Sequence, residues 1–455
     1  MGGLSRRATI LEQTQKAHTT FVVDAGDLTW KSSVVSSDRL SQQREKASLQ
    51  FDVYTDGGID AMVPGEGDLA LGLDWLMEAA TIHNLPYMAA NLKCPDWPLM
   101  PGRIVERGGF RIAFIGVVGP KLAGPCAASS TIPAVSAAVA SLGEADVYVL
   151  LSHQPAEEDE AIVRSVPEID VVVNGHGRKQ ISRPVSLGGH AIQLAPGTRG
   201  KKLGIAEFQM VPGAKGFEVQ GAEVELAQQI KTLEDRRNRA RDRVAAVGDD
   251  GSRVRAEQRL RRLDAELQTA QAKRTSLQGA VAPPRNQVAN QLAPLDESVK
   301  ENAAVQDKLA VMKSRLETVK PVRSRSTPVK LKGPFVGDRA CLGCHTEQHA
   351  QWKSTPHAYA WSTLIREQRS QDLDCWSCHV TGAHHPEGPQ HPSEADGLYN
   401  VGCESCHGPG KNHVAGPSRA NIVRNVSSQT CEQCHDGIKD EGRFEYEAYL
   451  KKVTH

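Results

Sequence analysis

The first 221 residues alternate between short apolar runs and stretches in which apolar side chains recur with a helical spacing. The apolar runs are rich in β-branched residues and end in polar or turn-forming residues, which is typical of buried strands. They are Thr20–Asp24, Arg111–Gly116, Val147–Leu151 and Ile169–Val173. Helical spacing lies between them, for example over Gly72–Ile82 and Glu157–Ser165. We therefore predict an α/β sandwich whose polar strand ends form any functional site.

Residues 222–320 are rich in Gln, Arg, Glu, Ala and Leu, and two series of residues step by three and four positions. The first series is Leu226, Ile230, Leu233, Arg237, Ala240, Val244 and Val247, and the second is Ala256, Leu260, Leu263, Leu267, Ala270, Arg274 and Leu277. With the turn-forming segment Gly248–Ser252 between them, they predict an antiparallel helical hairpin of the coiled-coil type. Because the turn favours self-pairing, we expect a hairpin packed within its own chain. A dimerisation or docking arm is the alternative.

Residues 335–455 carry the motif C-x-x-C-H four times. The cysteines are Cys341, Cys344, Cys375, Cys378, Cys403, Cys406, Cys431 and Cys434, and the histidines are His345, His379, His407 and His435. Two thiols at this spacing can form thioethers with the vinyl groups of a haem, and the histidine then binds the iron as proximal ligand. We therefore predict four covalently bound haem c groups. Zinc is the alternative, but zinc sites do not require a histidine after every second cysteine.

A haem that only carries electrons needs a second axial ligand, whereas a haem that binds substrate keeps that position open. Seven further histidines are enough to close all four irons: His349, His357, His384, His385, His391, His413 and His455. Ordinary apolar residues are sparse in this part of the chain. We therefore expect the haems to supply much of the buried apolar mass, and this part should not fold without them.

Three stretches of this region match longer patterns. Trp352–Ala358 reads W-x-x-S-x-H-A, Val401–Gly410 surrounds the third motif and is followed by His413, and Phe444–Glu447 with Val453–His455 reads F-x-Y-x…H. Together they resemble the tetrahaem cytochrome c family of hydroxylamine-derived electron transfer. The resemblance implies His357 and His413 as distal ligands and His455 as a further candidate, without ranking His384, His385 and His391. It also implies that one haem can be five-coordinate.

Four stretches of the N-terminal part match motifs near strand ends. Gly2–Thr9 reads G-G-L-x-R-x-A-T, Val23–Asp27 contains D-A-G-D, Leu151–His153 reads L-S-H, and Asn174–His176 is similar to a G-H-x-H loop. Together they resemble the metallophosphoesterase domain of bacterial 5′-nucleotidases over about the first 210 residues. The resemblance implies a metal site at these strand ends.

The same resemblance shows departures at the metal ligands. The family's first strand, which supplies two ligands, would precede Gly2. In the loop that matches G-N-H-E, Gly67 stands in place of the catalytic histidine, and Arg178 replaces the second histidine of G-H-x-H. Two-metal hydrolysis needs both ions held rigidly, so we expect a catalytically inactive scaffold. The donors that remain could hold one divalent cation: Asp27, Glu66, His153 and His176.

Composition and charge limit the function further. The chain has 455 residues, of which 39% are hydrophobic, enough for two or three domains with cores. The formal charge is +0, so nothing favours nucleic acid or a membrane surface as partner. No apolar run is as long as a transmembrane helix.

Haem is attached to thiols outside the cytoplasm, so we expect a periplasmic or extracellular protein. Met1–Arg7 lacks the apolar core of a signal peptide, which leads us to expect a leader encoded upstream. Cys94 and Cys126 lie outside the haem motifs. We expect them to be buried or free thiols, with a disulfide as the alternative.

The sequence thus predicts a multidomain protein: a degenerate metallophosphoesterase-like domain over 1–221, a helical hairpin and connecting helices over 222–320, a linker over 321–334, and a haem-packed, mostly α tetrahaem cytochrome c domain over 335–455. The predicted function is electron transfer with a redox partner protein, and the hairpin could support a homo-oligomer. An electron carrier is favoured over an enzyme. The alternatives are a redox enzyme with one open haem acting on a small nitrogen or sulfur species, and an active metal-dependent phosphoesterase.

Overall fold

The computed structural model describes residues 2–120, 122, 125–177, 180–214, 216–220, 222–246, 250–278, 286–318, 333–436, 440 and 443–455. They form two compact units, each assembled from separate stretches of chain. The first comprises Met1–Asp27, Asp56–Leu69 and Ala80–Lys300, and the second comprises Leu28–Thr55, Ala70–Ala79 and Glu301–His455. Among these residues, no helix is long and apolar enough to cross a lipid bilayer.

The strands, in chain order, are β1 (Val22–Asp24), β2 (Ile59–Met62), β3 (Leu92–Lys93), β4 (Gly102–Arg107), β5 (Phe110–Val118), β6 (Ala127–Ala128), β7 (Val147–His153), β8 (Val171–Asn174), β9 (Ile181–Leu187), β10 (Ala191–Ala195), β11 (Lys202–Gln209), β12 (Phe217–Val219) and β13 (Asn286–Pro294). The helices are α1 (Gly2–Ala17), α2 (Ser37–Asp56), α3 (Glu66–Leu69), α4 (Leu73–Ile82), α5 (Thr131–Leu142), α6 (Ala156–Ser165), α7 (Ala222–Ala246), α8 (Asp250–Gln278), α9 (Ala303–Thr318), α10 (Thr346–Lys353), α11 (Ala360–Arg366), α12 (Leu373–Trp376), α13 (Cys403–His407), α14 (Lys411–Ala415), α15 (Ser428–Glu432) and α16 (Tyr446–Val453). Short 3₁₀ turns lie at Asp338–Ala340, Pro356–Tyr359, Pro392–Glu394 and Arg419–Asn421.

The largest sheet of the first unit has six strands in the order β4-β5-β7-β8-β10-β9. The four central strands run parallel, and antiparallel β4 and β9 close the edges. Ile115 and Leu150 of this sheet are fully buried and form one core with Ile162 of α6 and with residues of α5. The apolar runs of the sequence are therefore strands of a buried parallel sheet, and the α/β prediction is confirmed.

Parallel strands bring their carboxyl ends to one edge of a sheet. In the six-stranded sheet, Ser152 near the end of β7 pairs with Asn174 at the end of β8. In a separate two-stranded sheet, Asp24 at the end of β1 pairs with Met62 at the end of β2. The loops that follow these four strand ends carry the polar residues of the candidate site, as is usual in α/β folds.

Helices α7 and α8 pack against each other through a row of buried residues. These are Leu226, Ile230, Leu233, Ala240, Leu263, Leu267 and Ala270. All of them belong to the two series predicted from the sequence. Val247 and the predicted turn at 248–249 lie outside the described residues.

The chain after α8 differs from the prediction of connecting helices. It forms β13, which pairs antiparallel with β11 and parallel with β12 in a three-stranded sheet. The two long helices are therefore an insertion between neighbouring strands of one sheet. The later predicted helix is present as α9, and of the predicted linker only Gly333 and Pro334 are described.

The second unit consists mainly of helices, most of them short. Its apolar core cluster is Phe335, Leu364, Leu373, Trp376, Val380, Ala395 and Leu398. Residues 28–55 and 70–79 also belong to this unit, and there the ring of Phe51 in α2 stacks on Trp75 at 6.0 Å. The helical C-terminal part is as predicted, but it also contains segments from early in the chain.

Cys94 and Cys126 form a disulfide bond. The expectation that both are buried or free thiols is therefore wrong. Two isolated cysteines 32 positions apart give no pairing signal in the sequence. They meet because β3 pairs antiparallel with β6, which places Lys93 opposite Ala127.

Candidate functional site

Four polar residues named by the sequence meet at the strand ends of the first unit. His153 is fully buried at the end of β7, and His176 follows β8 in a loop. Asp27 lies in the loop after β1, and Glu66 begins α3 after β2. The fold thus brings together all four residues that the resemblance to 5′-nucleotidases implies.

His153 is the centre of this group, because each ring nitrogen has a defined neighbour. Its Nδ1 lies 2.7 Å from the backbone oxygen of Ala25, and its Nε2 lies 2.7 Å from Glu66 Oε2. Asp27 Oδ1 is 3.6 Å and His176 Nδ1 is 3.4 Å from the same Nε2. Nδ1 therefore donates its proton to the carbonyl, while Nε2 faces the two carboxylates.

The carboxylates change the acidity of His153. Burial alone would lower its pKa, but the hydrogen bonds and charges of Asp27 and Glu66 outweigh burial and raise the pKa of His153 to about 10. Burial likewise would raise the pKa of each carboxyl group, but the hydrogen bond and charge of His153 lower both. The group is therefore a compact cluster in which two carboxylates face the Nε2 of one histidine.

Two glycines allow this close approach. Gly26 has a φ of +98°, which favours glycine, and a Cβ there would overlap His153 Nδ1. A Cβ at Gly65 would overlap Asp27 Oδ1. Asp68 is fully buried and accepts hydrogen bonds from the backbone N–H groups of Asp27 and Gly65, at 3.1 and 2.9 Å. Asp68 therefore fixes the two loops relative to each other.

The donor set fits one divalent cation. The ligand atoms of Glu66, His153 and His176 lie within 4.8 Å of one another. His153 has the arrangement of a histidine ligand, since its Nδ1–H donates to a carbonyl and Nε2 is left for a metal. One carboxylate and two imidazoles suit a borderline cation such as zinc, and Asp27 Oδ1 lies 3.6 Å from His153 Nε2.

A second metal has less support. The backbone N–H of Gly67, at the position of the family's catalytic histidine, donates to Asp27 Oδ1 at 2.7 Å. Arg178 lies outside the described residues. Within the described part of the chain, the other cluster of possible metal donors is Cys378, His384 and Cys434, of which the two cysteines belong to C-x-x-C-H motifs.

Sequence reasoning missed a buried carboxylate behind this site. Asp159 in α6 is fully buried and accepts hydrogen bonds from Ser152 Oγ at 2.6 Å, Gln154 Nε2 at 3.1 Å and Asn174 Nδ2 at 2.7 Å. Burial raises the pKa of Asp159 in spite of these donors. Because Ser152 and Gln154 flank His153, Asp159 holds the end of β7 in place. An aspartate among other acidic residues gives no sequence signal for this role.

The four C-x-x-C-H motifs lie in the second unit on turns and short helices. Cys341 follows a 3₁₀ turn, Cys375 lies in α12, Cys403 begins α13 and Cys431 lies in α15. The motif histidines and the seven further histidines of this part of the chain lie within the same unit.

Three of the four motif histidines face a second histidine. The ring centres are 6.3 Å apart for His345 and His413, 6.3 Å for His435 and His357, and 5.7 Å for His407 and His455. These partners are the three distal candidates that the family resemblance implies. For His379, no facing histidine ring is found among the residues that the structure describes.

Several of these rings are fixed through Nδ1. The distance from Nδ1 to a backbone oxygen is 2.6 Å for His379, 2.6 Å for His407 and 3.0 Å for His413. A ring held in this way carries its proton on Nδ1 and presents Nε2 to a metal.

The other four histidines have different surroundings. His349 is 6% exposed, and its Nε2 has no hydrogen-bond partner among the described residues. His385 and His391 each accept a backbone hydrogen bond at Nδ1 from two residues further along the chain. His384 Nε2 lies 3.8 Å from Cys434 Sγ.

Cysteines of different motifs are neighbours. Cys341 and Cys403 are close enough for each to affect the acidity of the other, Cys431 is close enough to Cys406 to affect its acidity, and Cys378 and Cys434 both lie near His384. The motifs are therefore adjacent in the order first, third, fourth, second.

The residues around the motifs fit haem. Trp376 Nε1 and Arg369 Nε are buried donors with no hydrogen-bond partner among the described residues, and Trp376 is only 3% exposed. Orphaned buried donors are rare and call for an acceptor. The carboxylates of a haem are acceptors of the required kind.

The first unit is thus an α/β domain with a carboxylate–histidine cluster at its strand ends, and the second is a helical module with four C-x-x-C-H motifs. Residues 340–408, which hold the first three motifs, match the family model of cytochrome c554 and c-prime. A cytochrome c module is therefore present, and the C-terminal resemblance predicted from the motifs is confirmed. No curated protein matches the chain significantly.

Three solved structures are similar to the chain. The sulfate thiohydrolase SoxB of Thermus thermophilus, in complex with glycerol, is 16% identical, with 72% of this chain and 49% of that chain covered and a TM-score of 0.47. The 5′-nucleotidase precursor of Thermus thermophilus is 15% identical, with 74% and 57% covered and a TM-score of 0.47. The calcineurin-like phosphoesterase YfkN of Bacillus subtilis is 14% identical, with 68% and 88% covered and a TM-score of 0.43. The chain spans 49% and 57% of the first two proteins.

Proposed function

We propose that the chain is an exported four-haem cytochrome c that transfers electrons to or from a redox partner protein. The observation that carries this proposal is the pairing of three motif histidines with a second histidine at 5.7 to 6.3 Å. A metal–nitrogen bond is about 2 Å long, and the nitrogen lies roughly 1 Å from the ring centre, so two rings on one metal are roughly 6 Å apart. The observed distances therefore support ring pairs that each hold one iron.

In this proposal each side chain has a separate role. The two cysteines of a motif would anchor a haem, and the motif histidine would hold its iron. The second histidine on each iron would be His413 for the first motif, His455 for the third and His357 for the fourth. Haem held in this way supplies reversible one-electron chemistry. The order first, third, fourth, second supports electron entry at one end of the row and exit at the other.

A second candidate function is favoured by His379. Its Nδ1 is fixed like that of a ligand histidine, but no second histidine ring faces it in the described part of the chain. The haem of the second motif would then keep one axial position open. Such a haem could bind a small nitrogen or sulfur species and reduce or oxidise it.

Measurements on the full-length holoprotein test both functions. Protein matured in a host that attaches haem c should carry four porphyrin masses and no zinc. The resting EPR spectrum should contain three low-spin haems and one high-spin haem, and cyanide should bind only the high-spin haem. Fewer than four porphyrins would overturn the main proposal. Four low-spin haems would remove the second candidate alone.

For the first unit we propose a scaffold that no longer hydrolyses phosphoesters and holds at most one cation. The support is Gly67 in place of a catalytic histidine, together with the three donors that lie within 4.8 Å. The full-length protein should not hydrolyse 5′-nucleotides or aryl phosphates when supplied with manganese or zinc. Metal-dependent turnover would make the phosphoesterase alternative correct.

The disulfide supports export, because disulfides persist in oxidising compartments such as the periplasm or the extracellular space. The helices α7 and α8 already bury their apolar row against each other. We therefore propose that the hairpin acts within one chain rather than as a dimerisation arm. The molar mass of the holoprotein in solution would test this.

A further inference from the structure

A polar cluster lies in the second unit where α2 meets residues 369–374, just before the second C-x-x-C-H motif. We infer that this cluster, built around Lys46, is a positioning device for that motif: it fixes the orientation of α12 and sets the electrostatic potential at Cys375 and the haem bound there. The inference rests on the proposed function, since it needs a haem on the second motif.

Lys46 is the buried cation of the cluster. It is 7% exposed, and its Nζ lies 2.5 Å from Asp372 Oδ1 and 2.6 Å from Asp374 Oδ2. Asp372 is itself only 1% exposed. Lysine and aspartate are rarely buried this deeply unless they are paired, and solvent screens such a pair very little.

Asp372 connects this cation to the helix that carries the motif. It is the N-cap of α12, and its Oδ1 accepts a hydrogen bond from the backbone N–H of Asp374 at 3.0 Å. The next residue is Cys375, and the last backbone oxygen of α12 accepts a hydrogen bond from the N–H of His379 at 2.8 Å. Lys46 therefore contacts the residue that caps α12, and α12 carries Cys375 and accepts a hydrogen bond from His379.

Two buried glutamines of α2 complete the contact. Gln42 bridges the backbone on both sides of the cap residue: its Nε2 donates to the oxygen of Gln371 at 2.7 Å, and its Oε1 accepts from the N–H of Leu373 at 3.1 Å. Gln43 Nε2 donates to Asp374 Oδ2 at 2.9 Å. Buried amides satisfied in this way hold one register between α2 and the segment before the motif.

The charges of the cluster lie within electrostatic reach of the motif. The cations around the two aspartates are Lys46, Arg39 at 3.0 Å and Arg369 at 3.4 Å. Asp374 directly precedes Cys375, and Asp372 lies three residues before it. The charges of the cluster are therefore close to this sulfur and would act on a haem bound to it.

The second motif is also the one whose histidine faces no second ring among the described residues. A haem held by only one axial ligand depends on its proximal side for orientation and potential. The position of the Lys46 cluster beside this motif therefore suits a role in tuning the haem of the second motif, in addition to stabilising the unit.

Opposite charge changes in the full-length holoprotein test the inference. Lys46→Met removes the cation and should move one reduction potential, that of the haem on the second motif, to a more negative value, because a nearby cation favours the reduced form. Asp374→Asn removes an anion and should move the same potential to a more positive value. Lys46→Arg should stay close to wild type. Glu45→Gln is the matched control, since Glu45 lies on the same helix as Lys46 and its contact with Arg315 is exposed.

Redox titration followed by EPR resolves the four haems, and mass spectrometry counts them. Three results would overturn the inference: equal shifts of all four potentials, shifts of the same sign in both variants, or no shift. The proposed function would still stand in each case if the wild type carries four porphyrins. Fewer than four porphyrins on the wild type would overturn the proposed function itself. If Lys46→Met does not accumulate, Asp374→Asn alone still tests the inference through the direction of its potential shift, because this variant keeps the ion pair of Lys46 with Asp372.

Discussion

At the scale of single residues, the chemistry of a histidine in this protein depends on the contact of its Nδ1 and on what faces the other side of the ring. His413 donates at Nδ1 to the backbone oxygen of Ser418 and faces His345. His391 has its Nδ1 engaged as an acceptor by the N–H of Ser393. Only the first arrangement leaves Nε2 as the metal-binding nitrogen, so the two histidines should respond differently to substitution.

His413→Ala should open the iron of the first motif. We expect a second high-spin signal in the resting EPR spectrum and a second cyanide-binding haem, because no other histidine ring faces His345 among the described residues. His391→Ala should leave the spectrum unchanged. An unaltered spectrum in His413→Ala would show that another group closes this iron.

Glu66→Gln should weaken cation binding in the first unit by at least about tenfold, since it removes the carboxylate that faces both histidines. Titration of the full-length protein with zinc, followed by calorimetry, measures this change. Glu106→Gln, at an exposed ion pair with Arg111, should bind zinc as the wild type does. Equal affinities in both variants would contradict the site.

The sequence predicted those functional residues whose role is local. The spacing C-x-x-C-H predicts a proximal histidine in each motif without knowledge of the fold, and the strand-end motifs single out His153 and His176, which the fold brings together. It could not identify Lys46 or Asp159, because a charged residue on a helix ordinarily lies in solvent. Their role arises only from what packs over them.

At the scale of elements, the α7–α8 pair follows directly from its spacing of apolar residues. Leu267 in α8 is 4% exposed and packs in the buried row. Leu267→Ala should lower the free energy of unfolding by about 2–3 kcal/mol, through lost burial and the cavity left behind. Thermal unfolding followed by far-UV circular dichroism measures this loss. The neighbouring exposed Gln268→Ala should change it by less than about 0.5 kcal/mol.

Strand β13 was beyond prediction for a physical reason. Its sequence, N-Q-V-A-N-Q-L-A-P, is poor in β-branched and aromatic residues and does not favour a strand by itself. It is a strand because it lies between β11 and β12, where its backbone groups are paired on both sides. Central parallel strands such as β7 carry their own signal, whereas β13 depends on its neighbours.

The contact between α2 and α12 should make stability depend on acid. Burial would raise the pKa of Asp374, but the charge of Lys46 outweighs it and lowers the pKa to about 2, from an ordinary 3.8. Asp374 therefore stabilises the fold above pH of about 4, and this stabilisation is lost as the pH falls through about 2. Asp374→Asn should cost roughly 1 kcal/mol at neutral pH, a reduced figure because the carboxylate is partly exposed, and nothing near pH 2. Chemical unfolding at a series of pH values should show that the free energies of unfolding of the wild type and of Asp374→Asn become equal near pH of about 2. The exposed Asp307→Asn serves as the control.

At the scale of the whole molecule, the two compact units are interleaved along the chain. Residues 28–55 and 70–79 belong to the second unit, although the motifs around them resemble a phosphoesterase. Reading domains as consecutive stretches of sequence could not reveal this, since hydrophobic spacing reports on local structure and not on which unit a helix joins. Helix α2 is therefore both part of the N-terminal sequence pattern and a structural part of the haem module.

This interleaving predicts that residues 335–455 are not sufficient for a native cytochrome module. Matured alone with haem, that fragment lacks the buried cation Lys46 and the amides of Gln42 and Gln43, so the carboxylate of Asp372 loses its main partner. Removing one member of a buried ion pair costs about 3–5 kcal/mol, which a small module with few other core residues cannot spare. We expect the fragment to unfold at a lower temperature than the full chain and to show an altered potential at the haem of the second motif, while the haems of the first and third motifs stay closer to native values. Thermal unfolding followed in the Soret band, together with redox titration, measures both effects. The full chain with Glu45→Gln serves as control, and a fragment with four native potentials and native thermal stability would show that α2 is dispensable.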